Sequence, residues 1–265
     1  MISSNERIKK EGGRSQKSFV PQKMMTTLTK RRKKIQELLG NKKSYTPKEA
    51  ISKIREIDSK VKTKFDQTVE LAIRLGVDPK QSDQQVRSSV SLPGGTGKKI
   101  RIAVVTKGEK VKEAEAAGAE HVGSEDLVGK IEQGFLDFDK LVATPDMMAA
   151  MAKLGKILGP KGLMPNPKDG TVSNDLTKTI KDLRAGKASF RAEKDSGIVH
   201  IPIGKLSFSE DNLVKNFSAV VDAINKAKPP GAKGIYLRSV YLSSSMGPGL
   251  KVDVSSLDEL HEHRD

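Results

Sequence analysis

The 265-residue chain has no cysteine and no tryptophan, and only three tyrosines, seven phenylalanines and four histidines. Without cysteine there is no disulfide framework, no thiolate metal site and no cysteine nucleophile. The scarcity of rings argues against a surface that reads nucleic acid mainly by stacking on successive bases. No stretch approaches the roughly 18 apolar residues of a membrane span, and the basic beginning lacks the apolar core of a secretory signal. The expectation is a cytoplasmic protein with no membrane partner; a basic, acid-poor start keeps organellar import open as the alternative.

Acid is also in short supply. Lys and Arg number 48 against 33 Asp and Glu, a net charge of +15 that favours an anionic partner and is silent about fold. The excess is uneven: residues 1–43 hold 13 basic and 3 acidic side chains, whereas 253–265 hold 5 acidic and 1 basic. The body is only mildly basic, so a nucleic-acid site on it has to be a local patch.

Residues 1–26 are polar, with Gly12-Gly13 and many Ser and Lys, and read as a disordered basic extension. Residues 28–39 suit a helix. Thr46-Pro47-Lys48-Glu49 is a capping-box start with Pro at the first helical position, and Ala50, Ile54 and Ile57 form the apolar stripe behind it. From Thr68 the chain alternates, with Val69, Leu71, Ile73 and Leu75 on one side and Glu70 and Arg74 on the other, as a half-buried strand does. A second strand is expected over 86–92, ending at the strong punctuation of 93–97.

Strands over 99–105, 118–123 and 138–143 alternate with helices over 109–117, 125–133 and 145–158, the pattern of a doubly wound α/β unit. A short strand at 170–172 and a helix over 176–185, ended by Gly186, complete it. Strands at 188–192 and 198–203 flank Lys194 to Gly197 like a hairpin. A helix over 209–226 has Leu213, Phe217, Val220, Val221 and Ile224 on one face, and strands follow over 235–242 and 250–254. The economical fold class is mixed α/β and α+β in two domains. An outer split α+β domain (27–95 and 187–254) is built from both ends, with a three-layer α/β domain (96–186) inserted into it and an acidic tail (255–265) after it. Two crossings carrying Gly95, Gly97 and Gly186 would form a hinge.

No catalytic group stands out. His121 and His200 lie singly on expected strands, and His261 and His263 fall in the acidic tail, so no metal or cofactor is called for. Gly94 to Lys99 resembles a phosphate loop in composition alone, since it lacks the Gly-Lys-Ser/Thr ending and precedes a strand. A nucleotide-binding enzyme built on the α/β unit remains the alternative function on fold analogy. The run 155–168 carries Lys156, Lys161 and Lys168 on a loop stiffened by Gly159, Pro160, Gly162, Pro165 and Pro167. It reads either as a rigid connector with solvated lysines or as a shaped cationic surface for a polyanion. Phe65, after Lys60, Lys62 and Lys64, could begin a core strand or stack on a base. Ser243 to Gly249 could be an ordinary turn, or a place where small hydroxyls, Met246 and glycines let backbone approach a ligand.

Several longer strings are more specific: 64–70 (KFDQTVE), 82–87 (SDQQVR) with 90–93 (VSLP), 159–168 (GPKGLMPNPK), and 237–241 (LRSVY) leading into 245–248 (SMGP). Together, in this order over about residues 27–254, they resemble the family of the large-subunit ribosomal protein numbered one, which sits on the mobile stalk beside the tRNA exit site. The resemblance implies the split outer domain and inserted inner domain, monomeric when free and with no cofactor. It implies an RNA site in which Phe65, Glu70 and Arg74 meet Ser245, Met246 and Gly247, with Arg238 from the 237–241 string. Its partners would be large-subunit ribosomal RNA, exit-site tRNA and the protein's own messenger RNA, whose translation it would repress. Ser245 stands where the family usually has Thr, a change that keeps the hydroxyl; residues 1–26 and those after Ser255 fall outside the pattern.

Overall fold

The computed structural model describes residues 29–40, 42–108 and 110–257. The basic extension and the stretch from 258 onward, with His261 and His263, lie outside the described residues. Helix α1 (Lys30–Leu39) is capped by Thr29, and α2 (Pro47–Lys60) begins with the expected capping box. Thr46 accepts from the Glu49 amide while the Glu49 carboxylate accepts from the Thr46 amide. Ala50, Ile51, Ile54 and Ile57 are the buried stripe of α2.

Four antiparallel strands make the largest sheet: β1 (Thr68–Leu75), β7 (Ile198–Lys205), β8 (Leu237–Ser244) and β9 (Leu250–Val252), in the order β7-β1-β8-β9. Val69, Leu71, Ile73 and Leu75 of β1 face inward as the alternation predicts, towards α2 and α8 (Glu210–Lys226). The five expected apolar residues of α8 are all buried there, each contributing on the order of 1.5–3 kcal/mol. The opposite face of the sheet presents the exposed Glu70, Arg74, His200, Tyr241 and Lys251.

A separate parallel sheet has the order β4-β3-β5, with β3 (Ile102–Val105) in the middle, β4 (His121–Gly123) and β5 (Lys140–Ala143). Its side chains alternate between two apolar clusters. Ala103, Val105, Leu141 and Ala143 meet α4 (Glu125–Glu132), α5 (Met148–Ala152) and α6 (Gly155–Leu158). Ile102, Val104 and Val142 meet α3 (Lys110–Ala116) and α7 (Leu176–Ala185). All four residues of β3 are buried, as befits a parallel strand covered on both faces.

Several expectations fail locally. The 145–158 segment is not one helix: a single 3-10 turn (Pro145–Met147) precedes α5, and Leu154, whose amide donates to the Met151 carbonyl at 2.9 Å, tightens the chain before α6 restarts it. The 188–203 hairpin does not form either. β6 (Lys187–Arg191) pairs with β2 (Arg87–Ser91), while β7 pairs with β1. Glu193 and Ile198 close a turn that carries the chain from one sheet to the other. Alternation defines which face is buried but not the partner, and β2 and β6, which lead into and out of the 94–186 segment, pair with each other. The first parallel strand starts at Ile102, not Lys99, and 170–172 contributes one bridge, Val172 to Ala143. Ile235 stays 76% exposed ahead of β8. At the other end β9 stops at Val252, yet Leu257 is buried in the core, so packing runs past residue 254.

Candidate nucleic-acid interface

The expected site residues divide between the two ends of β1. At its start, Gln67 and Thr68 are stitched to Ser245 and Met246, and Gly247 closes the turn on its own segment. The Ser245 amide donates to the Thr68 carbonyl at 3.0 Å, and the Ser245 hydroxyl accepts from the Thr68 amide at 3.1 Å. The Met246 amide donates to Gln67 Oε1 at 2.9 Å, and the Gly247 amide to the Ser244 carbonyl at 2.9 Å. A Cβ on Gly247 would run into the Ser244 hydroxyl, which explains the glycine. The hydroxyl of Ser245 is thus occupied in holding two segments together.

Two large apolar side chains remain in solvent at this end, Phe65 and Met246, each 54% exposed. Phe65 is therefore not a core residue, which settles one of the two sequence readings. Cations surround them: Lys62 and Lys64 are exposed, the Arg31 guanidinium donates to the Met246 carbonyl at 3.2 Å, and Lys205 donates to the Thr68 hydroxyl at 2.8 Å. The nearby acid Asp66 is engaged by the Ser207 hydroxyl at 2.8 Å.

Glu70 lies one step along, opposite Ser243 and Pro202 on the open face. Arg74 is opposite Ser239, about 20 Å from Thr68 at the rise of a strand. Arg238 occupies the irregular step beyond it, beside Gly76. The single compact patch implied by the resemblance is therefore a band along β1, because a strand cannot bring residues six apart to one point.

Gln67 was missed by sequence reasoning. It is 2% exposed, bonds Met246 through its oxygen, and donates to Asp58 of α2 at 2.5 Å. The signal available was an amide in an apolar alternation, at a place where the pattern asks for a hydrophobe. Asn216 was missed as well. Fully buried on α8, it accepts from the Gly94 amide at 2.8 Å and donates to the carbonyls of Gly95 at 3.0 Å and Ile203 at 2.7 Å. It falls three residues after Leu213, on the apolar stripe, which was a legible hint.

The three glycines of the expected hinge have positive φ: Gly95 at 74°, Gly97 at 70° and Gly186 at 114°. Gly95 and Gly186 abut, so that a Cβ on Gly186 would lie 2.8 Å from the Gly95 Cα. Beside them Asp139 accepts from Lys98 at 2.7 Å and from the Arg101 amide at 3.1 Å, and these bonds, the lysine's first, hold its pKa down to about 2. In the 155–168 run, Lys156, Lys161 and Lys168 are exposed, Gly159 ends α6 and Gly162 has φ 69°. Asn166 cinches the loop, donating from its amide to the Thr171 hydroxyl at 2.8 Å and accepting at its side chain from the Lys168 amide at 2.8 Å.

Among the described residues no group of three or more His, Asp or Glu is placed to hold a metal ion, and no helix is long and apolar enough to cross a membrane. His121 packs edge-on against Phe135 at 5.0 Å, and His200 lies 3.8 Å from Glu193.

A cationic, half-apolar surface held rigid by backbone bonds, on an open antiparallel sheet, is the equipment of an RNA-binding protein. The sequence model of the Ribosomal protein L1p/L10e family matches residues 54–248, and the chain belongs to that family. It is accordingly a ribosomal protein of a structural, ribosomal-RNA-binding family, and nothing in the match supports the nucleotide-binding enzyme.

Proposed function

We propose that the chain binds the stalk RNA of the large ribosomal subunit through the start of β1 and the loop after β8, with Phe65 and Met246 against bases and Lys62, Lys64, Arg31 and Lys205 against phosphates. The observation that carries this reading is the stitching of residues 245–246 to 67–68, which leaves Phe65 and Met246 half in solvent among cations. Glu70, Ser243 and, further along, Arg74 and Arg238 extend the surface over the open sheet face. Backbone and side-chain acceptors there suit base amines and 2′-hydroxyls.

In the same reading, 27–95 and 187–254 form an outer RNA-binding domain, and 96–186 an inner domain hinged at Gly95, Gly97 and Gly186. With Lys156, Lys161 and Lys168 on its loop, the inner domain would move with the stalk and assist release of exit-site tRNA from cytoplasmic ribosomes. Binding to a like structure in its own messenger RNA would repress its synthesis. Affinity for a stalk-RNA fragment, compared with a scrambled RNA of equal length at rising salt, tests the proposal. A specific site exceeds nonspecific binding by roughly 10³-fold or more, and equal affinities at every salt concentration would refute it.

A further inference from the structure

The β2–β6 ribbon has two unlike faces. Val90, Ala188 and Phe190 turn into the core that α8 and the four-stranded sheet share. The other face carries Arg87, Ser89 and Ser91, directly opposite Arg191, Ser189 and Lys187. This polar face meets the α/β part through polar side chains, among them the Lys187 ammonium, which lies where a Cβ on Gly170 would fall. The Arg87 guanidinium grips the Asp169 carboxylate from Nε at 3.0 and 3.2 Å, and again from Nη2. Lys140 of β5 donates to the Ser189 hydroxyl at 3.0 Å. Asp169 lies at the end of the stiff lysine loop, immediately after Lys168, and is 82 residues from Arg87.

Among the described residues, apolar packing does not reinforce these contacts. The cluster of the four-stranded sheet draws on residues 39–92 and 188–257, and the two clusters of the parallel sheet on residues 100–183, so each lies wholly within one part. Polar contacts with no apolar cluster shared across them are those that permit relative motion. The charges are unbalanced as well. Asp169 raises the pKa of Arg87, whereas burial, with Arg87 as a like-charged neighbour, lowers that of Lys140. One carboxylate therefore sits between two cations, and its loss leaves them facing each other.

We propose that the Arg87–Asp169 pair is a clasp that closes the α/β part onto the ribbon, and that its release frees that part to swing about the glycine crossing. This rests on the two-domain reading above. Closed, the clasp fixes where Lys156, Lys161 and Lys168 lie relative to the Phe65–Met246 surface; open, it lets that spacing change. A bidentate guanidinium grip suits this role, because it is directional and falls away once either partner moves.

The absence of native cysteine makes the test clean. Spin labels at Lys161→Cys and Lys194→Cys span the two parts, and labels at Lys161→Cys and Lys112→Cys lie within one. Pulsed dipolar spectroscopy should give a narrow 161–194 distance distribution in the otherwise unchanged chain. Asp169→Asn should broaden it and shift it to longer distances, while the 161–112 pair stays narrow and shows the α/β part intact. Arg87→Ala, which alters a one-third exposed side chain on the ribbon, should open the clasp by the same route without touching the loop. The exchange of Arg87→Asp with Asp169→Arg should restore the narrow distribution. A 161–194 distribution unchanged in both single variants, or already broad before substitution, overturns the clasp. Stalk-RNA affinity read on the same proteins reports on the Phe65–Met246 surface, so a failure of that surface is distinguished from a failure of the clasp.

Discussion

Asn216 ties α8 to Gly94 and Gly95 and to Ile203 of β7, and its removal has a calculable cost. Asn216→Ala takes away the acceptor of the Gly94 amide and the donor to the Gly95 and Ile203 carbonyls, at a site fully closed to water. A buried polar group left without a partner costs about 1–3 kcal/mol. Gly94 and Gly95 are partly exposed and can recover some hydration, so the three losses together should amount to about 3–5 kcal/mol. Asn216→Asp should not rescue. It keeps an acceptor for Gly94 but sets a carboxylate oxygen against two carbonyls. Urea unfolding followed by circular dichroism, suited to a chain without tryptophan, measures the loss as a lower midpoint at similar slope. A loss below about 1 kcal/mol for Asn216→Ala would refute the reasoning, since it would mean that water or backbone shifts replace all three bonds.

Gly186→Ala should destabilise by more than about 1 kcal/mol in the same assay, because φ of 114° is hostile to a side chain and the new Cβ would press on the Gly95 Cα. Thr46→Ala should cost about 1 kcal/mol by removing half of the capping box of α2, and Thr46→Ser should recover most of it. Asp139, whose pKa falls from the ordinary 3.8 to about 2, contributes stability that is present above the unfolded value and is lost as pH falls through about 2. Side-chain NMR titration should find that midpoint, and Asp139→Asn should flatten the acid limb of the stability profile between these two values.

Much of the fold was legible because its elements announce themselves locally. The capping box at Thr46, the alternation after Thr68 and the apolar stripe of α8 each specify geometry from neighbours in sequence. Partner choice is a property of the whole sheet, which is why β6 and β7 were read as a hairpin although they join different sheets. The break at Leu154 was hidden for another reason: Leu154 and Leu158, four residues apart, enter one cluster just as they would on an unbroken helix, and the only local sign of the interruption is Gly155, a poor helix former. At the candidate interface, composition pointed to Phe65 and to the 245–247 turn. It could not reveal that Ser245 is spent on Thr68 or that Gln67 bridges to Met246, whereas the distance to Arg74 was already implicit in the strand read from Thr68.

The central claim is that two segments 181 residues apart in sequence, meeting at the start of β1, form one RNA-binding surface. A double-mutant cycle on stalk-RNA affinity tests it most directly. Phe65→Ala and Met246→Ala should each weaken binding by about 1–3 kcal/mol, the worth of a stacking or base-edge contact. Lys161→Ala should weaken it less. The double variant should lose less than the sum of the two single losses, as neighbours sharing one partner do. Affinities unchanged in both single variants, or losses that add strictly in the double variant, would contradict a shared site.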